Sequence, residues 1–185
     1  MDNLNLMLKE LNGVLRERNE HLTITAAGGF TLQLHGIRAT HDIDAFYQQD
    51  NILERDIFEI GNKYGANIGG DLWLNNSIET FNIKPPLDQT EEYLRLENLT
   101  IRTVKLEYLL YMKLYSAREK DINDASKIIQ ILKEENPIKV FKKCKEYSME
   151  VDASLILWSF SEAYGEDWLV DYIESNKQEI NKYFR

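Results

Sequence analysis

Between Gly28 and Phe46 the chain reads GGFTLQLHGIRATHDIDAF, with Asp42 and Asp44 one residue apart after a glycine pair. If Asp42 to Asp44 is strand, side chains alternate and the two carboxylates share one face. Two carboxylates so placed repel each other unless a cation lies between them. The oxygen donors suit a hard divalent ion, Mg²⁺ foremost, which binds through one or two carboxylates and keeps part of its water. Gly28 and Gly29 permit a tight turn whose backbone N–H groups can approach a phosphate. Phosphate-facing amides followed by a metal-binding pair are the equipment for nucleotidyl or phosphoryl transfer, where positioning and charge neutralisation account for most of the catalysis. Each part alone also has a plain structural reading, as a solvated face or a simple turn; the combination in this order is rarer. Arg38 is either a phosphate contact or the ion-pair partner of Asp42 or Asp44. His35 and His41 read as structural or exposed rather than as ligands.

A second cluster lies in KLEYLLYMKLYSAREKDINDASKIIQIL, from Lys105 to Leu132. At about 100° per residue Leu106, Leu109, Leu110, Leu114 and Ala117 form an apolar stripe, and Lys113 falls near its middle. A lysine aimed at a core is costly unless it snorkels out or meets an anion. On the following helix Ile122, Ala125, Ile129 and Leu132 face inward, Asp121 projects near that face, and Asp124 lies further round. Lys113 and Asp121 either pair with each other or serve a site, Lys113 reaching a triphosphate and Asp121 acting as a third acidic group or orienting Lys113. Asp121 also has the position of a helix N-cap, with Asp124 as a first-turn charge.

The elements that must carry these groups follow from periodicity and punctuation. Residues 3–19 read as an amphipathic helix with Leu4, Leu8, Leu11 and Leu15 on one face. Residues 22–26 read as a strand ending at the glycines, FTLQLHG as a brief helix or turn, and ATHDIDAFY as a second strand. Asn51 with Glu54 has capping-box spacing for a helix to about Tyr64. Residues 65–90 are loop-rich, and EYLRLENLTIRTV is a hairpin turning near Glu97-Asn98. Helices are predicted over about 105–119, 121–134, 137–148, 151–164 and 166–184. The expected class is α+β, with a small mixed sheet among helices in residues 1–104 and a helical part, 105–185, packed on that core. Trp158, Phe160, Trp168, Tyr172 and Tyr183 suit a core or helical interface. Lys139, Lys142, Lys143 and Lys145 form a basic run, usually a solvated face, and the best place for a polyanion to touch.

Composition narrows the partners. The 185 residues carry a formal net charge of -9, with 43% hydrophobic and 29% charged residues, an ordinary globular balance. An acidic chain has no general attraction to nucleic acid or anionic lipid, so RNA binding would need a local basic patch. One cysteine, Cys144, excludes an internal disulfide and a cysteine-based zinc site and fits a reducing compartment. No basic leader precedes an apolar run, and no stretch has membrane length, so a cytoplasmic chain with no membrane partner is expected.

The wording GGF-x-L-x-LHG-x-R-x-T-x-DID resembles the signature of the polymerase-β-like nucleotidyltransferase superfamily, in which a Gly-Gly or Gly-Ser turn precedes Asp-x-Asp on a strand. It looks like the bacterial branch that includes AbiEii-type toxin nucleotidyltransferases. That branch carries a helical lysine followed by an Arg/Lys–Asp–x–x–Asp segment, matched here by Lys113, Arg118, Lys120, Asp121 and Asp124. The resemblance, covering about residues 20–132, implies a nucleotidyltransferase fold. It also implies Mg²⁺, or Mn²⁺ in its place, on Asp42 and Asp44. Nucleotide would contact Gly28, Gly29, Arg38 and Lys113, and Asp121 would stand in the catalytic set. It implies transfer of NMP from an NTP to a tRNA 3′ end, a protein hydroxyl or a small molecule, with an antitoxin as partner if the chain is a toxin. The family's serine at the second turn position is a glycine here, which removes one hydroxyl contact. Many members use a third strand carboxylate; Glu97 and Asp71 are the local candidates, neither in persuasive context. The competing expectation is a catalytically degenerate module of the same fold that binds nucleotide or a partner without turnover.

Overall fold

The computed structural model describes residues 2–78 and 83–184. The chain is α+β and divides after Lys105 into two compact units.

The first unit is built on a five-stranded mixed sheet in the order β3-β2-β1-β5-β4. Helix α1 (Asp2–Glu17) buries Leu8, Leu11 and Leu15 of the stripe read from spacing, with Leu4 only partly buried and Met7 joining the buried face. Strand β1 (Leu22–Ala26) sits at the centre. It pairs antiparallel with β2 (Ile43–Phe46) and parallel with β5 (Leu99–Val104), in the register Leu22↔Leu99 to Ala26↔Thr103. The hairpin of β4 (Thr90–Arg95) and β5 forms as expected, with a register shift between Glu92 and Leu94. Ile24, Ala26, Ile43, Ala45, Leu99 and Ile101 meet Leu8, Leu11, Phe30, Ile57 and Trp73 in one core. Trp73 satisfies its ring N–H on the Ile57 carbonyl at 2.8 Å, as a buried indole must.

Three local readings change. The second strand is shorter than 39–47, so Asp42 lies just before β2 while Asp44 lies in it. Helix α3 (Asn51–Lys63) is capped by Asp50, not Asn51: the Asp50 carboxylate accepts from the Ile52 and Leu53 N–H groups at 2.9 and 2.8 Å. Within the loop-rich stretch, Leu74–Asn75 forms strand β3, parallel to β2 with Asp44 opposite Asn75. A two-residue strand has no period to read. Residues 79–82 of that stretch lie outside the described residues.

The second unit is helical: α4 (Leu106–Ser116), α5 (Glu119–Leu132), α6 (Pro137–Glu146), α7 (Ala153–Tyr164), α8 (Glu166–Ser175) and α9 (Lys177–Tyr183). Helix α4 is buried nearly all round, Tyr108, Tyr111 and Met112 included, so the expected stripe is only part of its buried surface. Ala117 falls outside it, exposed and with φ 55. The helix expected over 166–184 breaks at Asn176, whose side-chain amide donates to the Tyr172 carbonyl at 2.8 Å. Local side-chain bonds of this kind compete with continued helix. Phe160 is buried and stacks with Trp168, which stacks in turn with Tyr172. Trp158 departs from the core reading: it is 49% exposed. Among the described residues no helix is long and apolar enough to cross a membrane.

Candidate functional site

The first unit brings the glycine pair and the aspartates together. Strand β1 ends at Ala26, and helix α2 (Gly28–Leu34) starts at once, with Gly28 at φ +55. The Ala27 N–H donates to the Asp44 carbonyl at 2.8 Å, fixing this corner against β2. A Cβ on Gly28 would stand 2.8 Å from Asp44 Oδ2. The position therefore demands glycine twice, for its left-handed backbone and for the carboxylate pressed against it. A Gly28→Ala chain should lose about 1–2 kcal/mol from the left-handed conformation alone, read as a lower urea midpoint, and should push Asp44 out of place.

Asp42 and Asp44 are both half-buried, each with a hydroxyl neighbour. Thr40 Oγ1 donates to Asp42 Oδ1 at 2.7 Å. Ser77 Oγ donates to Asn75 Oδ1 at 2.6 Å, with Asp44 Oδ1 at 3.4 Å. Gly29 faces Thr40: a Cβ there would lie 2.6 Å from Thr40 Oγ1 and 3.4 Å from Arg38 Nη1. Arg38 thus lies alongside the glycine turn, half-buried, with Nη1 also 3.4 Å from the Ala39 carbonyl oxygen. His35 and His41 are exposed. Asn75 escaped the sequence reading because its two-residue strand is too short to announce itself, and Ser77 because it follows that strand in the loop-rich stretch, whereas Thr40 stood inside the quoted motif.

The donor set fits a hard divalent cation: two carboxylates with oxygen-bearing neighbours and no thiol or imidazole among them. Among the described residues no group of three or more His, Cys, Asp or Glu is placed to hold a metal ion. Among the described residues, a cation on this pair would draw its further ligands from water, from neighbouring hydroxyl, amide or backbone oxygens and from the oxygens of a substrate. Neither candidate for a third strand carboxylate joins it. Glu97 is exposed and pairs with Arg16 at 3.9 Å, and Asp71 is exposed beside an isolated bridge to Ile68.

The second unit holds its own charge cluster. Lys113, 5% exposed, meets Asp121 Oδ1 at 2.6 Å and Asp124 Oδ2 at 2.8 Å. Arg118 adds a bond from Nε to Asp121 Oδ2 at 2.6 Å and one from Nη2 to Oδ1 at 3.3 Å. Asp121 is wholly buried at the third position of α5, whose N-cap is Arg118, so the cap reading of Asp121 does not hold. Asp124 is buried too, although spacing put it further round. Burial pushes the Asp121 carboxyl up, but hydrogen bonds from Arg118 and Lys113 outweigh it and hold the group below its ordinary value of 3.8. Lys120 is exposed.

Cys144 is buried and its thiol is pushed up to about 12 by burial, which leaves no useful thiolate near neutral pH. In the basic run Lys139 pairs with Glu134 and Lys143 with Glu146, while Lys142 and Lys145 lie over the Tyr183 and Phe141 rings.

The sequence model of a family described as "Nucleotidyltransferase of unknown function (DUF6036)" matches residues 2–154. No curated protein and no solved structure matches the chain.

Proposed function

The chain belongs to this nucleotidyltransferase family, and from that premise we propose that it moves a nucleoside monophosphate from an NTP to an acceptor hydroxyl. The acceptor oxygen bonds to the α-phosphorus, the bond from that phosphorus to the β-phosphate oxygen breaks, and pyrophosphate leaves with the acceptor's proton released. The observation that carries this reading is the contact of Asp44 with the Gly28 turn, with Asp42 two residues away. In it the Gly28-Gly29 backbone and Arg38 face the phosphates, and Asp42 and Asp44 hold Mg²⁺ or Mn²⁺. The bound cation supplies neutralisation of the charge on the triphosphate. Lys113 would reach a triphosphate only by exchanging a carboxylate for a phosphate. Its two ion pairs favour a supporting role, in which it and Arg118 fix Asp121.

The motif wording favours the AbiEii-type branch, and with it a cytoplasmic toxin neutralised by an antitoxin. The lysine run is largely engaged by neighbouring carboxylates and rings, and the chain is acidic, so a protein or small-molecule acceptor fits better than tRNA. One observation favours a second reading, a module that binds nucleotide without turnover: Asn75, not a carboxylate, stands opposite Asp44 on the adjoining strand.

The two readings separate in one experiment. The full chain is incubated with each α-labelled NTP, Mg²⁺, total tRNA, lysate protein and a small-metabolite fraction, beside calorimetric titration of each NTP. Label entering one class of acceptor names the substrate. Magnesium-dependent NTP binding with no label in any fraction selects the binding module. Neither binding nor labelling rejects both.

A further inference from the structure

We propose that Thr40 is the positioning residue of the metal-binding pair, holding Asp42 in its cation-ready rotamer, and that Gly29 is glycine in order to admit it. The inference rests on the assignment of Asp42 as a metal ligand. Its basis is a chain of contacts running from α2 through Thr40 to Asp42. The Thr40 N–H donates to the Gln33 side-chain oxygen on α2 at 2.9 Å. Its hydroxyl donates to Asp42 Oδ1 at 2.7 Å, and a Cβ at Gly29 would stand 2.6 Å from that hydroxyl and 2.9 Å from Thr40 Cβ. Thr40 is thus pinned on its backbone by one helical side chain and wedged at its side chain against a bare helical backbone. Its single hydroxyl proton points at the carboxylate.

The chemistry explains why this matters for Asp42 in particular. Asp42 lies just outside β2, so no strand ladder fixes its backbone as it does that of Asp44. A short charge-assisted bond to one carboxylate oxygen stops the group rotating while leaving the other oxygen for a cation. Hydrogen bonds behind a metal ligand typically change metal affinity 10–100-fold when removed. Ser77 is the weaker arm on the other aspartate, since its one proton goes to Asn75 at 2.6 Å rather than to Asp44 at 3.4 Å.

The test uses Thr40→Val, which keeps the shape and removes the hydroxyl, Thr40→Ser, which keeps the hydroxyl, and Gly29→Ala, which crowds it. Free Mn²⁺ is counted by electron paramagnetic resonance as each full-length chain is titrated with Mn²⁺ and the four α,β-methylene NTPs. Wild type and Asp42→Ala are run alongside. The expected result is roughly tenfold weaker Mn²⁺ binding for Thr40→Val and Gly29→Ala, recovered within about twofold by Thr40→Ser, with a cooperative urea transition in each chain. Equal Mn²⁺ affinity in Thr40→Val and wild type, with Asp42→Ala impaired, overturns the role of Thr40 and leaves the metal-site reading standing. A wild-type chain that binds Mn²⁺ no better than Asp42→Ala removes both. Equal losses in Thr40→Ser and Thr40→Val would reject the hydroxyl as the active feature.

Discussion

Asp42→Ala and Asp44→Ala chains should each transfer NMP at least roughly 1,000-fold more slowly than the wild-type chain, the scale on which charge-neutralising groups act in phosphoryl transfer. The argument is electrostatic. The triphosphate brings several negative charges to a corner that already holds two carboxylates, so only a divalent cation shared among them makes the assembly attractive. With one carboxylate gone, the site keeps a single protein ligand beside the Gly28 turn. Asp44→Asn is the sharper variant, because it preserves size and an oxygen near Ser77 while removing the charge. Each variant should still unfold cooperatively in urea, since both aspartates are only half-buried and neither belongs to the hydrophobic core of the sheet. Initial rates of label transfer from α-labelled NTP, taken across a Mg²⁺ series, make the measurement. Wild-type rates in both alanine variants would end the case for this pair.

The second large effect falls on stability. Lys113→Ala should lower the unfolding free energy by about 3–5 kcal/mol, the usual cost of removing one partner from a buried ion pair. Asp124 would lose its lysine bond, and Asp121 would keep Arg118 as its cation, with the Ser116 hydroxyl beside it. Two carboxylates would then share a dry space with one guanidinium that is itself half exposed. Replacing the set together, as Lys113→Met with Asp121→Val and Asp124→Val, should recover much of the loss, because apolar groups in place of all three charges remove the desolvation cost on both sides. Urea midpoints of the single and triple variants provide the comparison; a Lys113→Ala chain within about 1 kcal/mol of wild type would contradict the buried-pair account.

The same cluster sets an acid limit. Asp121 has a folded-state carboxyl below 3.8, so over that interval the unfolded chain binds the proton and the folded chain does not. Its contribution is therefore complete above the unfolded value, near 4, and drains away as pH falls through 3.8 toward the lower folded value. Lys113→Ala should flatten that acid slope, since one of the two cations holding the carboxyl down is gone.

Much of the architecture was legible because it is local. The α1 stripe, the β1 run ending at two glycines and the β4–β5 hairpin follow from period and turn chemistry, which neighbouring residues carry by themselves. So does the order Gly-Gly then Asp-x-Asp, and with it the class of chemistry. What the residues alone left open was which groups face which. Lys113 had two roles available from spacing; packing of α4 against α5 put Asp121 and Asp124 both within 3 Å of its ammonium. Likewise a helical wheel cannot say that α4 is buried on nearly every side, because burial depends on the neighbours that surround it.

Sequence by itself determined that the chain pairs a glycine corner with two closely spaced carboxylates, since both are consecutive-residue facts. Tertiary structure decided that the corner closes on Asp44, that Gly29 makes room for Thr40, and that Asn75 stands across from Asp44. Those contacts join segments that only the pairing of β1, β2 and β3 brings together. A register between strands is set by the whole core and by no short stretch of residues.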